Sequence, residues 1–71
     1  MLNAKEIGKR IQELRKAKGL IQEELAAELN ITWSMVAKVE SGARIPSIDM
    51  FVLIAEYFGK ILDRALWKTG G

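Results

Sequence analysis

The hydrophobic positions of this chain recur every three or four residues over most of its length, a spacing that predicts helices rather than strands. The most informative stretch runs from Gln22 to Gly42, where this spacing predicts two short helices. Asn30 tolerates the left-handed backbone that stops a helix, and Thr32 is a good N-cap for a second helix that begins at Trp33. Because so few residues separate them, the two predicted helices must cross at a steep angle.

Three further helices are predicted around this pair. The first begins after the N-cap Asn3 and ends at Gly19, and the fourth begins after Ser47 and ends at Gly59. A short last helix is predicted over residues 61–67. The residues predicted to face a common core are Ile7, Ile11, Leu14, Ala17, Leu20, Leu25, Ala26, Leu29, Val36, Val39, Ile48, Phe51, Ile54, Ala55, Phe58, Leu62 and Leu66.

Two stretches, LRKAKGLIQEELAAELNIT and VAKVESGARIPS, have an order and spacing that are found in a known family. In these residues the chain resembles the Cro/repressor-type (XRE-like, lambda-repressor-like) helix-turn-helix DNA-binding domains, from about Ile7 to Leu66. The resemblance implies an all-α fold, a five-helix bundle that contains a helix-turn-helix. It also implies a structural ion pair between Arg15 of the first helix and Glu40 of the third.

The composition limits the functions that are open to this chain. Its 71 residues are enough for one small domain, which we expect to cover residues 1–68, with residues 69–71 as a tail. The sequence contains no cysteine and no histidine, so disulfides, thiolate zinc sites and the usual general base are excluded. We therefore expect no catalytic residue, no metal, no cofactor and no enzyme activity. No stretch resembles a membrane span or a signal peptide, so we expect no membrane partner and a cytoplasmic protein, or a recombinant soluble one if the sequence is engineered.

The resemblance places the exposed start of the third helix in the major groove of DNA. Its polar positions fall here on Trp33, Ser34, Ala37 and Lys38, of which only Ser34 and Lys38 hydrogen-bond usefully to bases or phosphates. Ile21 stands where the family usually has a polar N-cap for the second helix. The net charge of +2 permits nucleic-acid binding without requiring it.

Our main hypothesis is a non-catalytic protein-binding module. Ile21, Trp33 and Met35 replace polar groups, and exposed apolar side chains of this kind are typical of protein–protein hot spots. Because these departures interrupt an otherwise family-typical framework, the hypothesis includes engineering of the scaffold. The predicted protein-binding residues are Ile21, Trp33, Ser34, Met35, Ala37 and Lys38.

The alternative hypothesis is a sequence-specific DNA-binding transcriptional regulator of the Cro/repressor type that acts as a dimer. Its partner is duplex DNA, and Ile61 and Trp67 are candidates for the contact in a homodimer. The predicted DNA-binding residues are Gln22, Trp33, Ser34, Lys38, Ser41 and Arg44. Two other interpretations stay open: self-assembly through the apolar patch, and a Trp33 that packs on the core or contacts a thymine methyl.

Overall fold

A computed structural model of the chain describes the backbone over residues 3–70 and the side chains over residues 3–59. The described backbone forms four helices and no strand. They are α1 (Ala4–Ala17), α2 (Gln22–Leu29), α3 (Trp33–Ser41) and α4 (Ile48–Gly70). The all-α class is confirmed, whereas the predicted number of five helices is wrong.

The predicted start signals of α1 and α4 are confirmed. The side chain of Asn3 accepts a hydrogen bond from the backbone N–H of Glu6 at 2.9 Å. At the start of α4, the hydroxyl of Ser47 accepts one from the backbone N–H of Met50 at 3.2 Å. Each cap satisfies an amide that lacks an intrahelical partner, which is why these helices begin where the sequence places them.

The missing fifth helix is explained at Gly59, where the predicted stop does not occur. The helix continues through this residue, so residues 61–67 form part of α4 and no separate element. A glycine ends a helix when it takes a left-handed conformation, and among the described glycines only Gly19 and Gly42 have positive φ angles. Inside a helix, glycine costs only about 1 kcal/mol relative to alanine, so it is a weak stop signal. The side chains of Ile61, Leu62, Leu66 and Trp67 lie outside the described residues.

One core joins the helices. Its buried members are Ile11, Leu25, Ala26, Leu29, Val36, Val39, Met50, Ile54 and Phe58. Around it, Ile7, Leu14 and Leu20 are partly buried and pack against the core as predicted. The α1 and α3 backbones approach so closely that a Cβ atom added to Gly8 would lie 2.2 Å from the carbonyl oxygen of Val39. This glycine therefore sets the distance between the first and third helices.

The prediction of inward-facing residues fails at four positions. Ala17, Ile48, Phe51 and Ala55 are exposed, whereas Met50, which was not predicted, is buried. The first half of α4 is apolar on nearly every side, so the hydrophobic period does not select which stripe faces the core. The structure selects the stripe that contains Met50, Ile54 and Phe58. Ala17 lies in the last turn of α1, where its small side chain remains at the surface.

No helix in the described part of the chain has both the length and the apolar character that a membrane crossing requires.

Candidate nucleic-acid interface

The turn between α2 and α3 has the predicted geometry. Asn30 is left-handed, with a φ of 56°, and ends α2. Two residues later, the hydroxyl of Thr32 accepts a hydrogen bond from the backbone N–H of Met35 at 3.2 Å and caps α3. Gly42, with a φ of 84°, ends α3. Three residues therefore join two helices that share a core, which is a helix-turn-helix unit.

The outer face of α3 carries the residues predicted to contact DNA. Trp33 is 56% exposed, and Ser34, Lys38 and Ser41 are also exposed. Ala37 is half-buried. The opposite face is buried through Val36, Val39 and Glu40. The helix thus separates a surface face from a packing face, so the surface residues are available to a ligand without disturbing the core.

The exposed charges on α3 and the residues that flank it in the sequence, 30–47, are both positive. Between residues 30 and 47 the sequence contains one acidic residue, Glu40, and its side chain is buried. The carboxylate of Glu40 accepts two hydrogen bonds from the Arg15 guanidinium, at 2.7 and 3.0 Å. This paired acid contributes no negative charge to the surface. Lys38 and Arg44 are the exposed charged residues of the segment, which favours an anionic ligand on this face.

Arg15 and Glu40 form, with bidentate geometry, the structural pair that the family resemblance implies. Arg15 uses a further guanidinium nitrogen to donate to the backbone carbonyl of Leu20 at 2.7 Å. The guanidinium therefore ties α1 to α3 and to the loop that precedes α2. Since both charges are buried and hydrogen-bonded, removal of either one would leave the other without compensation.

A hydrogen-bonded network extends from this ion pair to the surface of α3. The side-chain nitrogen of Gln22 donates to Glu40 at 3.0 Å, and its side-chain oxygen accepts from the indole N–H of Trp33 at 3.0 Å. Gln22 is the first residue of α2 and Trp33 is the first residue of α3. The network thus joins the N-termini of both helices to the buried ion pair. No sequence period indicates this contact, because residues 22 and 33 belong to different helices.

Two of the predicted DNA-binding residues, Gln22 and Ser41, form most of their hydrogen bonds within the protein. Gln22 keeps one amide hydrogen after its bond to Glu40. The hydroxyl of Ser41 donates to the carbonyl of Lys38 at 3.0 Å and accepts from the backbone N–H of Ala43 at 3.3 Å. Its single proton is therefore committed to the helix end. Ser41 shapes the turn after α3 in this structure and offers no donor to a phosphate.

The turn after α3 also positions the backbone of Arg44. The sequence predicted Arg44 as a DNA-binding residue but did not indicate this role of the turn. The carbonyl of Lys38 also accepts the backbone N–H groups of Ala43 and Arg44, at 3.0 and 3.2 Å. The backbone of Arg44 is thereby held against the last turn of α3. Lys38, in the last turn of α3, and Arg44, whose backbone is held against that turn, are both exposed.

The predicted apolar patch of Ile21, Trp33 and Met35 is only partly exposed. Met35 is partly buried and packs against the core, because it lies on the side of α3 that turns toward its neighbours. Ile21 remains 58% exposed at the N-cap of α2, where it makes no side-chain capping bond, as predicted. The carboxylate of Glu24 accepts the backbone N–H of Ile21 at 2.9 Å instead. The exposed apolar groups of the face are therefore Ile21 and Trp33.

Comparison with known proteins gives matches over most of the chain. The family model described as helix-turn-helix matches residues 11–63. The chain is 33% identical over 61 residues to the HTH-type transcriptional activator BcrR of Enterococcus faecalis, which covers 86% of this chain and 30% of that protein. It is 39% identical over 57 residues to an uncharacterized HTH-type transcriptional regulator, RC0668, of Rickettsia conorii, with 80% of this chain and 46% of that protein covered.

A human relative has the highest identity of these three. Endothelial differentiation-related factor 1 of Homo sapiens is 45% identical over 54 residues, which cover 76% of this chain and 36% of that protein. The chain thus spans about a third to a half of the length of these relatives.

Proposed function

Because the chain belongs to the helix-turn-helix family, we propose that it is a DNA-binding transcriptional regulator that places α3 in the major groove of duplex DNA. The names of two relatives, a transcriptional activator and a transcriptional regulator, support this function. A non-catalytic role is part of the proposal. The comparisons favour a DNA-binding regulator over an engineered protein-binding module. The partly buried Met35 also weakens the apolar patch on which the protein-binding hypothesis depended.

The observation that carries the proposal is the positive outer face of α3. Lys38 in the last turn of α3 and Arg44 just after the helix are exposed, and the nearby acid Glu40 is paired with Arg15 in the interior. DNA affinity depends mainly on the neutralisation of phosphates by such basic side chains. In this proposal Lys38 and Arg44 contact phosphates, and Ser34, near the start of α3, contacts base edges. Gln22 contributes its remaining amide hydrogen to the backbone of the duplex.

The exposed acids of α2 oppose binding and limit its strength. Glu23 and Glu28 are exposed on the helix that crosses the DNA backbone in this arrangement. With about two basic contacts per chain, one copy binds weakly and with a shallow salt dependence. A dimer on a two-fold site doubles the number of phosphate contacts, which is why we keep the homodimer in the proposal.

The exposed apolar residues of α4 supply a surface for that dimer. Ile48, Phe51, Val52 and Ala55 lie at the spacing of one helical stripe, and Ile48 is 82% exposed. A helix that is apolar on nearly every side is usually buried on every side. Sedimentation of the wild-type chain and of Val52→Glu measures this contact: the variant is expected to remain monomeric at concentrations at which the wild type pairs.

The function is tested by selection from a random-sequence duplex pool, followed by fluorescence anisotropy on the recovered duplex. We expect recovery of a defined sequence and an affinity that falls as salt rises. A chain that recovers no sequence and binds bulk duplex no better at low salt than at high salt would contradict the proposal.

A further inference from the structure

We infer that the Trp33 indole is a specificity-determining group that contacts the 5-methyl group of a thymine in the major groove. The inference rests on the proposed DNA-binding function and goes beyond it by assigning a base feature to one side chain.

The polar group of Trp33 is already used within the protein. Its indole N–H, the one donor of the side chain, donates to the side-chain oxygen of Gln22 at 3.0 Å. The side chain is nevertheless 56% exposed. What it presents to solvent is consequently hydrocarbon and the π face of the ring. A base that meets this surface gains nothing from a hydrogen-bonding group and gains from an apolar one.

The position of the ring is fixed from the interior. Gln22, which accepts from the indole, donates in turn to Glu40, and Glu40 is held by the buried Arg15 at 2.7 Å. Both ends of the Gln22 amide are thereby engaged, so the amide cannot rotate without losing a bond. An exposed aromatic ring that is anchored in this way loses little conformational entropy when a ligand covers it.

The location of the ring matches a base edge in the proposed arrangement. Trp33 is the first residue of α3, and the N-terminal residues of a recognition helix are those that contact bases in the major groove. Among the groups that the base pairs present there, the thymine methyl is the apolar one. Ile21, which directly precedes Gln22, is a second exposed apolar residue, with 58% of its surface accessible. We therefore assign the indole to a thymine methyl rather than to a hydrogen-bonding base edge.

The test replaces each thymine of the selected duplex by deoxyuridine, one at a time, which removes the methyl group and keeps every hydrogen-bonding group. Burial of one methyl group corresponds to a change in affinity of about threefold to fivefold. The wild-type chain is expected to lose this much at one position of each half-site, and Trp33→Ala is expected to show no loss there. Lys9→Gln, an exposed change on α1 that keeps the indole, is the control and should retain the wild-type loss.

A second variant guards against a general effect of the alanine substitution. Trp33→Phe keeps an apolar ring without the indole N–H, and it is expected to retain part of the methyl dependence at the same position. Circular dichroism and thermal unfolding of each variant show that the fold is intact before binding is compared.

The outcomes separate this inference from the proposed function. If the wild type binds the selected duplex and no deoxyuridine substitution distinguishes it from Trp33→Ala, the inference is overturned and the regulator remains. The same pattern is expected if the indole anchors a protein partner instead. If no duplex is selected at all, the proposed function itself is wrong, and the inference is overturned with it.

Discussion

The indole N–H of Trp33 donates to the side-chain oxygen of Gln22 across 3.0 Å, and this bond joins the first residue of α3 to the first residue of α2. Through Gln22 the bond reaches Glu40 and then Arg15. A residue on the candidate DNA-binding face is in this way coupled to a buried ion pair that joins α1, α3 and the loop before α2. The network makes the stability of the domain and the geometry of its outer face depend on the same few side chains.

Substitution of Gln22 by alanine should destabilise the domain more than its partial exposure suggests. The change removes the partner of the Trp33 indole and one of the donors to Glu40. We expect a loss of about 1–2 kcal/mol in the free energy of unfolding, measured by urea denaturation. Gln12→Ala on α1 is the matched control, since Gln12 is also half-buried. Equal losses for the two variants would show that the network contributes nothing.

Removal of one partner of the Arg15–Glu40 pair should be among the most damaging single changes. Both side chains are nearly inaccessible, at 9% and 2%. Arg15→Ala leaves the Glu40 carboxylate buried without its cation, which is expected to cost about 3–5 kcal/mol. Denaturant unfolding measures this loss. If the alanine variant does not fold, the more conservative Arg15→Lys, which keeps the positive charge, is measured in its place.

The surface pair of Arg10 and Glu13 supplies the control for that measurement. These side chains are 75% and 61% exposed and their charged atoms lie 3.9 Å apart. Arg10→Ala is expected to change the free energy of unfolding by less than about 0.5 kcal/mol. Similar effects of Arg10→Ala and Arg15→Ala would contradict the structural role that we give to the buried pair.

Two glycine-to-alanine substitutions should change the free energy of unfolding in opposite directions. At Gly8 the new Cβ atom would lie 2.2 Å from the carbonyl oxygen of Val39, so α1 and α3 must separate. We expect Gly8→Ala to lower the free energy of unfolding by more than about 2 kcal/mol. At Gly59 a Cβ atom meets no atom of the described residues within 4 Å, and the residue lies inside α4. Gly59→Ala should therefore raise the free energy of unfolding by about 0.5–1 kcal/mol.

Thermal unfolding of both glycine variants measures these changes, and the second also tests the continuity of α4. An alanine favours an unbroken helix, so it stabilises the chain only if the helix runs through residue 59. A destabilised Gly59→Ala variant would indicate that the chain bends at this position.

Neutralisation of the basic residues at the end of α3 should weaken DNA binding and flatten its salt dependence. Lys38→Gln and Arg44→Gln each remove one expected phosphate contact per chain, which lowers the slope of log affinity against log salt by about 0.9 for each chain bound. Lys9→Gln is the matched control, because Lys9 is exposed on α1 beside Glu6 and Glu13. Anisotropy over a series of salt concentrations gives the three slopes. A slope that falls equally in Lys9→Gln would place the contact elsewhere.

Local signals were sufficient to predict the helix-turn-helix from the sequence. Asn30, Thr32 and Gly42 each act through the backbone of their own turn, so their effect does not depend on distant residues. The helical period likewise identified the buried positions Leu25 and Val36 of α2 and α3. These helices have one apolar face each, and the period therefore leaves no choice about which side is buried.

The sequence was less informative where several faces or several elements compete. Because the first half of α4 is apolar on nearly every side, the sequence did not distinguish Met50 from Phe51 as the buried residue. Gly59 was interpreted as a stop, although only its backbone conformation decides that role. For the candidate site, exposure of Trp33 was predicted, but its bond to Gln22 depends on the crossing of two helices. Such contacts follow from packing, and composition or spacing does not encode them separately.

The separation between the two faces of α3 has a consequence for how this sequence can diverge over generations. Ser34 and Lys38 lie on the outside of the helix, so their replacement is expected to change the free energy of unfolding by no more than about 0.5 kcal/mol. Descendants can therefore exchange these two residues one at a time as their targets change. Trp33 and Gln22 are joined by a side-chain hydrogen bond, so they are expected to be inherited or lost together.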